Sequence, residues 1–252
     1  MTENKKSIVK SSYNLVRFGP NGRKELVVRG LNALMDVKDA DFYFFKGEQH
    51  RIIGGLSEAI SYYKKRDYEK AREAFKQAIR SNPDYARAHY GLGLAYHELE
   101  RYNESTAAFR QALLLDPEDA KTYYGLGITY ELVGEHQKAI DNFEKAIQLQ
   151  PDYGKAFYHL GMNYQKMEKY SEAVEDLDKA VNFLPDSAGE IYYTIGMVYR
   201  KMENKEDAAI ENFKKATQKN PQGANVFFWL GWLYYKKGDY KKTIEAYQEV
   251  IR

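Results

Sequence analysis

The stretch from residue 120 to residue 151, AKTYYGLGITYELVGEHQKAIDNFEKAIQLQP, holds two amphipathic segments joined by a short polar turn, VGEHQ. Apolar or small residues recur at helical spacing in each segment, at Tyr123, Leu126, Gly127 and Tyr130 and then at Ala139, Phe143 and Ala146. Pro151 ends the second segment, because proline cannot continue a helix. The stretch therefore predicts an antiparallel pair of helices.

The same plan repeats along the chain. Five prolines lie 34, 34, 34 and 36 residues apart, at Pro83, Pro117, Pro151, Pro185 and Pro221. Five glycines keep a matching interval of 34 or 35 residues, at Gly93, Gly127, Gly161, Gly196 and Gly231. One inserted residue falls near Ser187 to Gly189, and another in the turn MENKEDA. Because one helix pair cannot bury its own apolar face, the repetition predicts a stack of such pairs.

The pattern resembles the tetratricopeptide repeat in the order of its residues, which are Tyr123, Leu126, Gly127, Tyr130, Ala139, Phe143, Ala146 and Pro151. We predict six units, over residues 52–85, 86–119, 120–153, 154–187, 189–223 and 224–252. The first unit departs most, since Gly55 and Glu58 stand where a large aromatic residue and a leucine are expected. The resemblance implies an all-α fold, a right-handed α-solenoid of antiparallel helix pairs.

The segment before the repeats admits two interpretations. Residues 19–22, GPNG, could turn a hairpin between YNLVRF and KELVV, or they could mark the start of a helix from Arg23 to Met35. We favour the helix, and predict a flexible tail over residues 1–22 and an irregular helical N-terminal cap over residues 23–51. The cap carries the aromatic run FYFF at residues 42–45, which either packs on the first unit or docks into another molecule in a homo-oligomer.

Composition limits the functional classes. Hydrophobic residues make up 44% of the chain and the net charge is +2, so binding to nucleic acid through overall charge is not expected. Cysteine is absent, which excludes a disulfide scaffold and thiol catalysis. No apolar run approaches the ~20 residues of a membrane span, and we expect a cytoplasmic protein.

We expect neither an enzyme nor a cofactor. Gly125 and Gly127 lie inside a predicted helix with no strand before them, so they do not form a phosphate-binding loop. An HExxH motif and a nucleophile elbow are missing and the five histidines are scattered over different faces and units, so no metal or catalytic site is predicted. His89 is expected to pack in the core, His97 and His136 to be solvated, and the carboxylates to form solvated pairs with lysines.

In the arrays that this pattern resembles, the first helix of each unit lines a concave groove that holds a peptide or a partner's helix. Three rows on those helices are predicted to face the groove. The first row is aromatic, with Tyr90, Tyr124, Tyr158, Tyr193 and Phe228, and the second is apolar, with Leu94, Ile128, Met162, Met197 and Trp232. The third row lies between these two, at the position directly after the aromatic residue, and holds Gly91, Gly125, His159, Thr194 and Trp229. Gly125 is expected to leave open space there.

The rows indicate which ligand would fit. An apolar strip that the array does not bury is typical of a binding surface, although packing between units is an alternative explanation for Tyr90 and Tyr124. Two binding modes of the family are not matched here: of a lysine and asparagine clamp for chaperone tails only Lys155 fits, and an asparagine ladder for peptide backbones is missing. A basic edge formed by Arg87, Lys121 and Lys155 could meet acidic residues of the ligand.

The sequence therefore predicts a scaffold or adaptor that binds apolar or aromatic peptide segments, with a chaperone-like role or a role in complex assembly. One alternative is the substrate-recruiting arm of a larger enzyme that continues beyond Arg252. Another is a homo-oligomeric scaffold that assembles through its N-terminal aromatic residues or through a last repeat without a capping helix.

Overall fold

A computed structural model describes residues 10–11, 14–15, 48–219 and 224–251 of the chain. The chain divides into two units, Met1–His50 and Arg51–Arg252. In the first unit, the described residues include a short antiparallel ladder, in which β1 (Lys10–Ser11) pairs with β2 (Asn14–Leu15). The helix predicted from Arg23 to Met35, the turn at residues 19–22 and the aromatic run at 42–45 lie outside the described residues.

The described part of the second unit is built from α-helices joined by short turns. The helices are α1 (Glu48–Lys64), α2 (Tyr68–Ser81), α3 (Ala86–Glu98), α4 (Tyr102–Leu115), α5 (Ala120–Leu132), α6 (His136–Leu149), α7 (Gly154–Lys166), α8 (Tyr170–Phe183), α9 (Ala188–Tyr199), α10 (Glu206–Lys219), α11 (Ala224–Lys236) and α12 (Tyr240–Ile251). A 3-10 turn, Pro185–Ser187, precedes α9 at the site of the first inserted residue. None of the described helices is long and apolar enough to cross a membrane.

The helices pack in chain order, which confirms the predicted all-α solenoid of helix pairs. From α2 to α12, each helix contacts the next one along the chain, and α3 also contacts α5 while α5 contacts α7. The first helices of successive units therefore lie beside one another. The predicted unit boundaries stay predictions, and α1 begins at Glu48, inside the segment predicted as the cap.

The core repeats with the sequence. Phenylalanines of the second helices, Phe109, Phe143 and Phe213, are completely buried, together with the small residues that precede and follow them. The repeating glycines accommodate these rings, since a Cβ added to Gly127 would lie 2.6 Å from the Phe143 ring. Gly127 therefore has a steric role, since its lack of a side chain leaves room for this ring.

The turn inside each unit uses a left-handed residue. Its φ is positive at Arg66, Glu100, Gly134, Glu168 and Gly238, which occupy the same position in five units. The following residue donates its backbone N–H to the carbonyl five residues earlier, as Arg101 does to Tyr96 at 2.8 Å and Glu135 to Tyr130 at 2.9 Å. This pattern is the Schellman motif, which ends a helix and satisfies its last carbonyls.

Candidate functional site

The residues predicted to face the groove keep part of their surface open. Each of them lies on a first helix, from α3 to α11. Phe228 is 45% exposed and the others are half-buried, namely Tyr90, Leu94, Tyr124, Ile128, Tyr158, His159, Met162, Tyr193, Met197, Trp229 and Trp232. We call these twelve residues the groove face. It is predominantly apolar and only partly covered by the array itself.

The tyrosines of the groove face have a packing role as well. Tyr90, Tyr124 and Tyr193 each place their ring centroid 5.8 Å from that of the second-helix phenylalanine in the same unit. Burial raises the pKa of Tyr90 to about 12, with the charge of Asp119 as a second cause. Burial likewise raises the pKa of Tyr124 to about 12, with Glu131 contributing. These hydroxyls therefore stay neutral at physiological pH.

The row between the aromatic and apolar rows is filled, and the prediction of open space at Gly125 is wrong. A Cβ on Gly125 would lie 2.9 Å from Phe109 Cζ, and one on Gly91 would lie 2.2 Å from Phe75. Each glycine is small because a phenylalanine of the preceding unit lies against it. His159 occupies the same position one unit later, and its ring stacks on Phe143 with centroids 5.7 Å apart.

A polar network lies beside His159. Nδ1 of His159 and Nδ2 of Asn163 both donate to Oε2 of Glu131, each at 3.0 Å. Nδ1 of His136 donates to Oδ1 of Asn163 at 2.9 Å, and Asn163 is only 1% exposed. Burial alone would raise the pKa of the Glu131 carboxyl, but the hydrogen bonds from His159 and Asn163 outweigh it and hold this pKa below its usual range.

The contacts of the histidines and of Glu131 correct several sequence predictions. His136 is half-buried and hydrogen-bonded, and His97 is half-buried with Nδ1 3.0 Å from Oγ1 of Thr129. Burial lowers the pKa of His97, and Glu98 opposes the shift. Neither histidine is solvated, and Glu131 is not a solvated carboxylate. His89, predicted to be a core residue, is half-buried, and its Nε2 lies 2.8 Å from the Pro83 carbonyl.

Arg200 and Trp229 form a second pair, which the sequence analysis missed. The guanidinium carbon of Arg200 lies 4.0 Å from the centroid of the Trp229 ring, close enough for a cation–π interaction. Trp232 adds an edge-to-face contact with Trp229 at 6.0 Å between centroids. A usable signal existed in the sequence, because Arg200 follows the repeating Gly196 at the spacing by which Glu131 follows Gly127.

The predicted basic edge varies in exposure. Arg87 and Lys121 are half-buried, whereas Lys155 is exposed. Burial lowers the pKa of Arg87, while the neighbouring Tyr85, Tyr90 and Asp119 favour its charged form. All three residues lie in the first turn of their helices.

A stack of helix pairs with an aromatic face on its first helices defines a helical-repeat protein. Sequence models described as tetratricopeptide repeat match residues 56–113, 120–153, 154–186 and 225–252, and one described as TPR repeat matches 95–134 and 203–238. The chain belongs to the tetratricopeptide repeat family. No curated protein is similar enough in sequence to count as a match.

Solved structures support the same assignment. A crystal structure of the protein MamA is 27% identical over 70% of this chain and 96% of its own, with a TM-score of 0.63. The protein YrrB, described as "a TPR protein with an unusual peptide-binding site", is 29% identical over 72% of this chain and 92% of its own, also with a TM-score of 0.63. Pseudomonas aeruginosa pilF, at 19% identity and a TM-score of 0.66 over 80% of this chain and 90% of its own, shares the fold.

Proposed function

We propose that this protein is a scaffold or adaptor that binds apolar and aromatic segments of partner proteins along the groove face. The observation that carries the proposal is the row of half-buried aromatic and aliphatic side chains on neighbouring first helices, ending in the exposed Phe228. Such a strip gains free energy when a ligand removes it from water, at about 25 cal/mol per Å² of apolar surface. Binding, rather than catalysis, is the function that these side chains favour.

The likeness to YrrB supports a peptide as the ligand, because that protein is described by its peptide-binding site. An extended segment would place alternate side chains between the aromatic rings. A chaperone-like role, a role in complex assembly and a cytoplasmic location are parts of the same proposal, which fractionation of cells and identification of bound partners would test. Acidic residues in the ligand would meet the basic edge at Arg87, Lys121 and Lys155.

A pair of neutral peptides tests the proposal. Ac-GFLNFG-NH2 should bind with a dissociation constant at least about tenfold lower than that of Ac-GSSNSG-NH2, because only the first buries apolar side chains. Isothermal titration calorimetry with the unlabelled peptides gives both constants. Equal binding of the two peptides, or no binding of either, would contradict the proposal.

The variant for this test should remove apolar side chains of the groove face without removing side chains that stabilise the core. Asparagine at Leu94 or Ile128 would also cost stability, because both side chains pack against the core around Phe143. The double variant Met162→Asn with Phe228→Ser should weaken binding of Ac-GFLNFG-NH2 by about tenfold. Leu114→Asn is the matched control, since Leu114 is 76% exposed and lies on α4, a second helix.

Self-assembly is a second candidate function. The last described helix, α12, exposes Tyr240 at 64%, Ile244 at 59% and Ile251 at 86%. These residues form an uncovered apolar face, which favours association of one chain with another. Association through residues 42–45 also stays a proposal, and those residues lie outside the described part of the chain.

A further inference from the structure

The environment of Arg200 differs from that of its counterparts in other units. The residue four positions after the repeating glycine is His97, Glu131, Gln165 and Arg200 in successive units. The possible partners of this residue lie in the following unit, at two positions: two residues before that unit's repeating glycine and two residues after it. For Glu131 they hold His159 and Asn163, which both hydrogen-bond to the carboxylate. Glu131 therefore finds its partners within the array.

For Arg200 the same two positions hold Trp229 and Leu233. Neither side chain can accept a hydrogen bond from a guanidinium: Trp229 contacts it face-on at 4.0 Å, and Leu233 is apolar and 1% exposed. Nε of Arg200 is buried without a hydrogen-bond partner, and among the described residues no carboxylate forms an ion pair with this side chain. A ligand cannot reach the buried Nε itself, but Arg200 as a whole is half-exposed. Its guanidinium charge has no acidic partner among the described residues, so a carboxylate from outside the array can pair with it.

Positive charge next to Arg200 in the sequence also favours an anion, because the exposed Lys201 follows it directly. Lysine occupies the same position in the two neighbouring units, at Lys166 and Lys236, which are exposed as well. Lys236 forms an ion pair with Glu206 at 2.7 Å. The cation–π contact with Trp229 restrains the guanidinium, which presents its N–H groups as a planar fork.

We propose that Arg200 binds the carboxylate of an acidic residue in the ligand, while Trp229 and Trp232 contact the apolar side chain next to it. This inference rests on the proposed function and specifies the ligand, as an aromatic or aliphatic residue beside aspartate or glutamate. A guanidinium pairs with a carboxylate through two parallel hydrogen bonds, which gives the site directional selectivity. It lies in the fifth and sixth units, on different helices from the basic edge of the second to fourth units.

The test compares two peptides that differ by one group. Ac-GFLDFG-NH2 carries a carboxylate where Ac-GFLNFG-NH2 carries an amide of the same shape. The wild-type chain should bind the aspartate peptide about three- to tenfold more tightly, because a charge-assisted hydrogen bond is partly screened at a half-exposed site. Trp229 and Trp232 are the two tryptophans of the chain, so the change in tryptophan fluorescence reports directly on this site.

Variants distinguish the contribution of Arg200 to this preference from that of its neighbours. Arg200→Gln should abolish the preference for aspartate and bind both peptides like the wild type binds the asparagine peptide. Arg200→Lys should retain part of the preference, because it keeps the charge and loses the planar fork. Lys201→Gln, which removes a neighbouring exposed charge, should keep most of it. Circular dichroism and thermal unfolding verify that each variant is folded.

The outcomes distinguish this inference from the proposed function. Equal binding of the two peptides by the wild type, or a preference that survives in Arg200→Gln, would overturn the role of Arg200 and leave apolar capture intact. Absence of binding by both peptides would overturn the two proposals together. A preference that disappears equally in Lys201→Gln and Arg200→Gln would assign it to the general positive potential, and it would also contradict the proposal.

Discussion

Phe109 has a glycine on each side of its ring, Gly93 in its own unit and Gly125 in the next. The contact with the glycine of the next unit recurs between Phe75 and Gly91, where an added Cβ would lie 2.2 Å from the ring. A methyl group at that distance cannot be accommodated without moving a phenylalanine that is 2% exposed. At these positions the close contact between helices requires glycine, although alanine would favour the helix more strongly.

Gly91→Ala should therefore destabilise the array by about 1 to 3 kcal/mol through overpacking, even though alanine is the better helix former. Gly55 is a matched control on α1, because a Cβ there would meet nothing within 4 Å. Gly55→Ala should stabilise by up to about 1 kcal/mol. Urea unfolding followed by circular dichroism measures both changes, and a stabilising Gly91→Ala would refute the packing argument.

At the scale of the element, the turn inside each unit requires one residue with positive φ. Gly134 and Gly238 adopt it at 77° and 78°, whereas Glu168 is held at 61°. Side chains other than glycine pay about 1 kcal/mol in this conformation. The sequence leaves that cost in place in the first, second and fourth units, at Arg66, Glu100 and Glu168, and removes it in the third and sixth, at Gly134 and Gly238.

Glu168→Gly should accordingly stabilise the chain by about 1 kcal/mol, and Gly134→Ala should destabilise it by a similar amount. The two substitutions affect equivalent turns, between α7 and α8 and between α5 and α6, so each serves as the other's control. Thermal unfolding would show shifts of opposite sign. Shifts of the same sign would mean that side-chain contacts, rather than φ, decide the stability of the turn.

The helices could be predicted from the sequence because their signals are local and recur. Apolar spacing, the repeating prolines and the polar turns each depend on a few neighbouring residues, as in residues 120–151. The contacts of Glu131 and Arg200 could not be predicted in this way. Their partners lie about 30 residues away, on the next unit, so assigning them required the register between units as well as the spacing within one. Gly125 was misjudged for the same reason, since its neighbour Phe109 belongs to the preceding unit.

At the scale of the whole molecule, each described helix pair contacts the pairs next to it in the array, so its stability depends on them as well as on the contacts within the pair. The equivalent positions Ile140, Ile210 and Ile244 illustrate the consequence. The first two are 1% and 7% exposed, because the first helix of the following unit covers them, whereas Ile244 on α12 is 59% exposed. The same side chain thus belongs to the core in two units and to the surface of the described array in the other.

Ile244→Lys should leave the helical circular dichroism signal and the unfolding temperature of the 252-residue chain nearly unchanged, since it buries no charge. Ile210→Lys is the matched contrast and should destabilise the array by about 3 kcal/mol or more, because it places an unpaired ammonium in the core. If α12 mediates self-association, Ile244→Lys should also lower the average mass measured by light scattering at high protein concentration. A wild-type chain that stays monomeric across that range would remove α12 as an assembly surface, and a large loss of stability in Ile244→Lys would show that the exposed face is covered in solution.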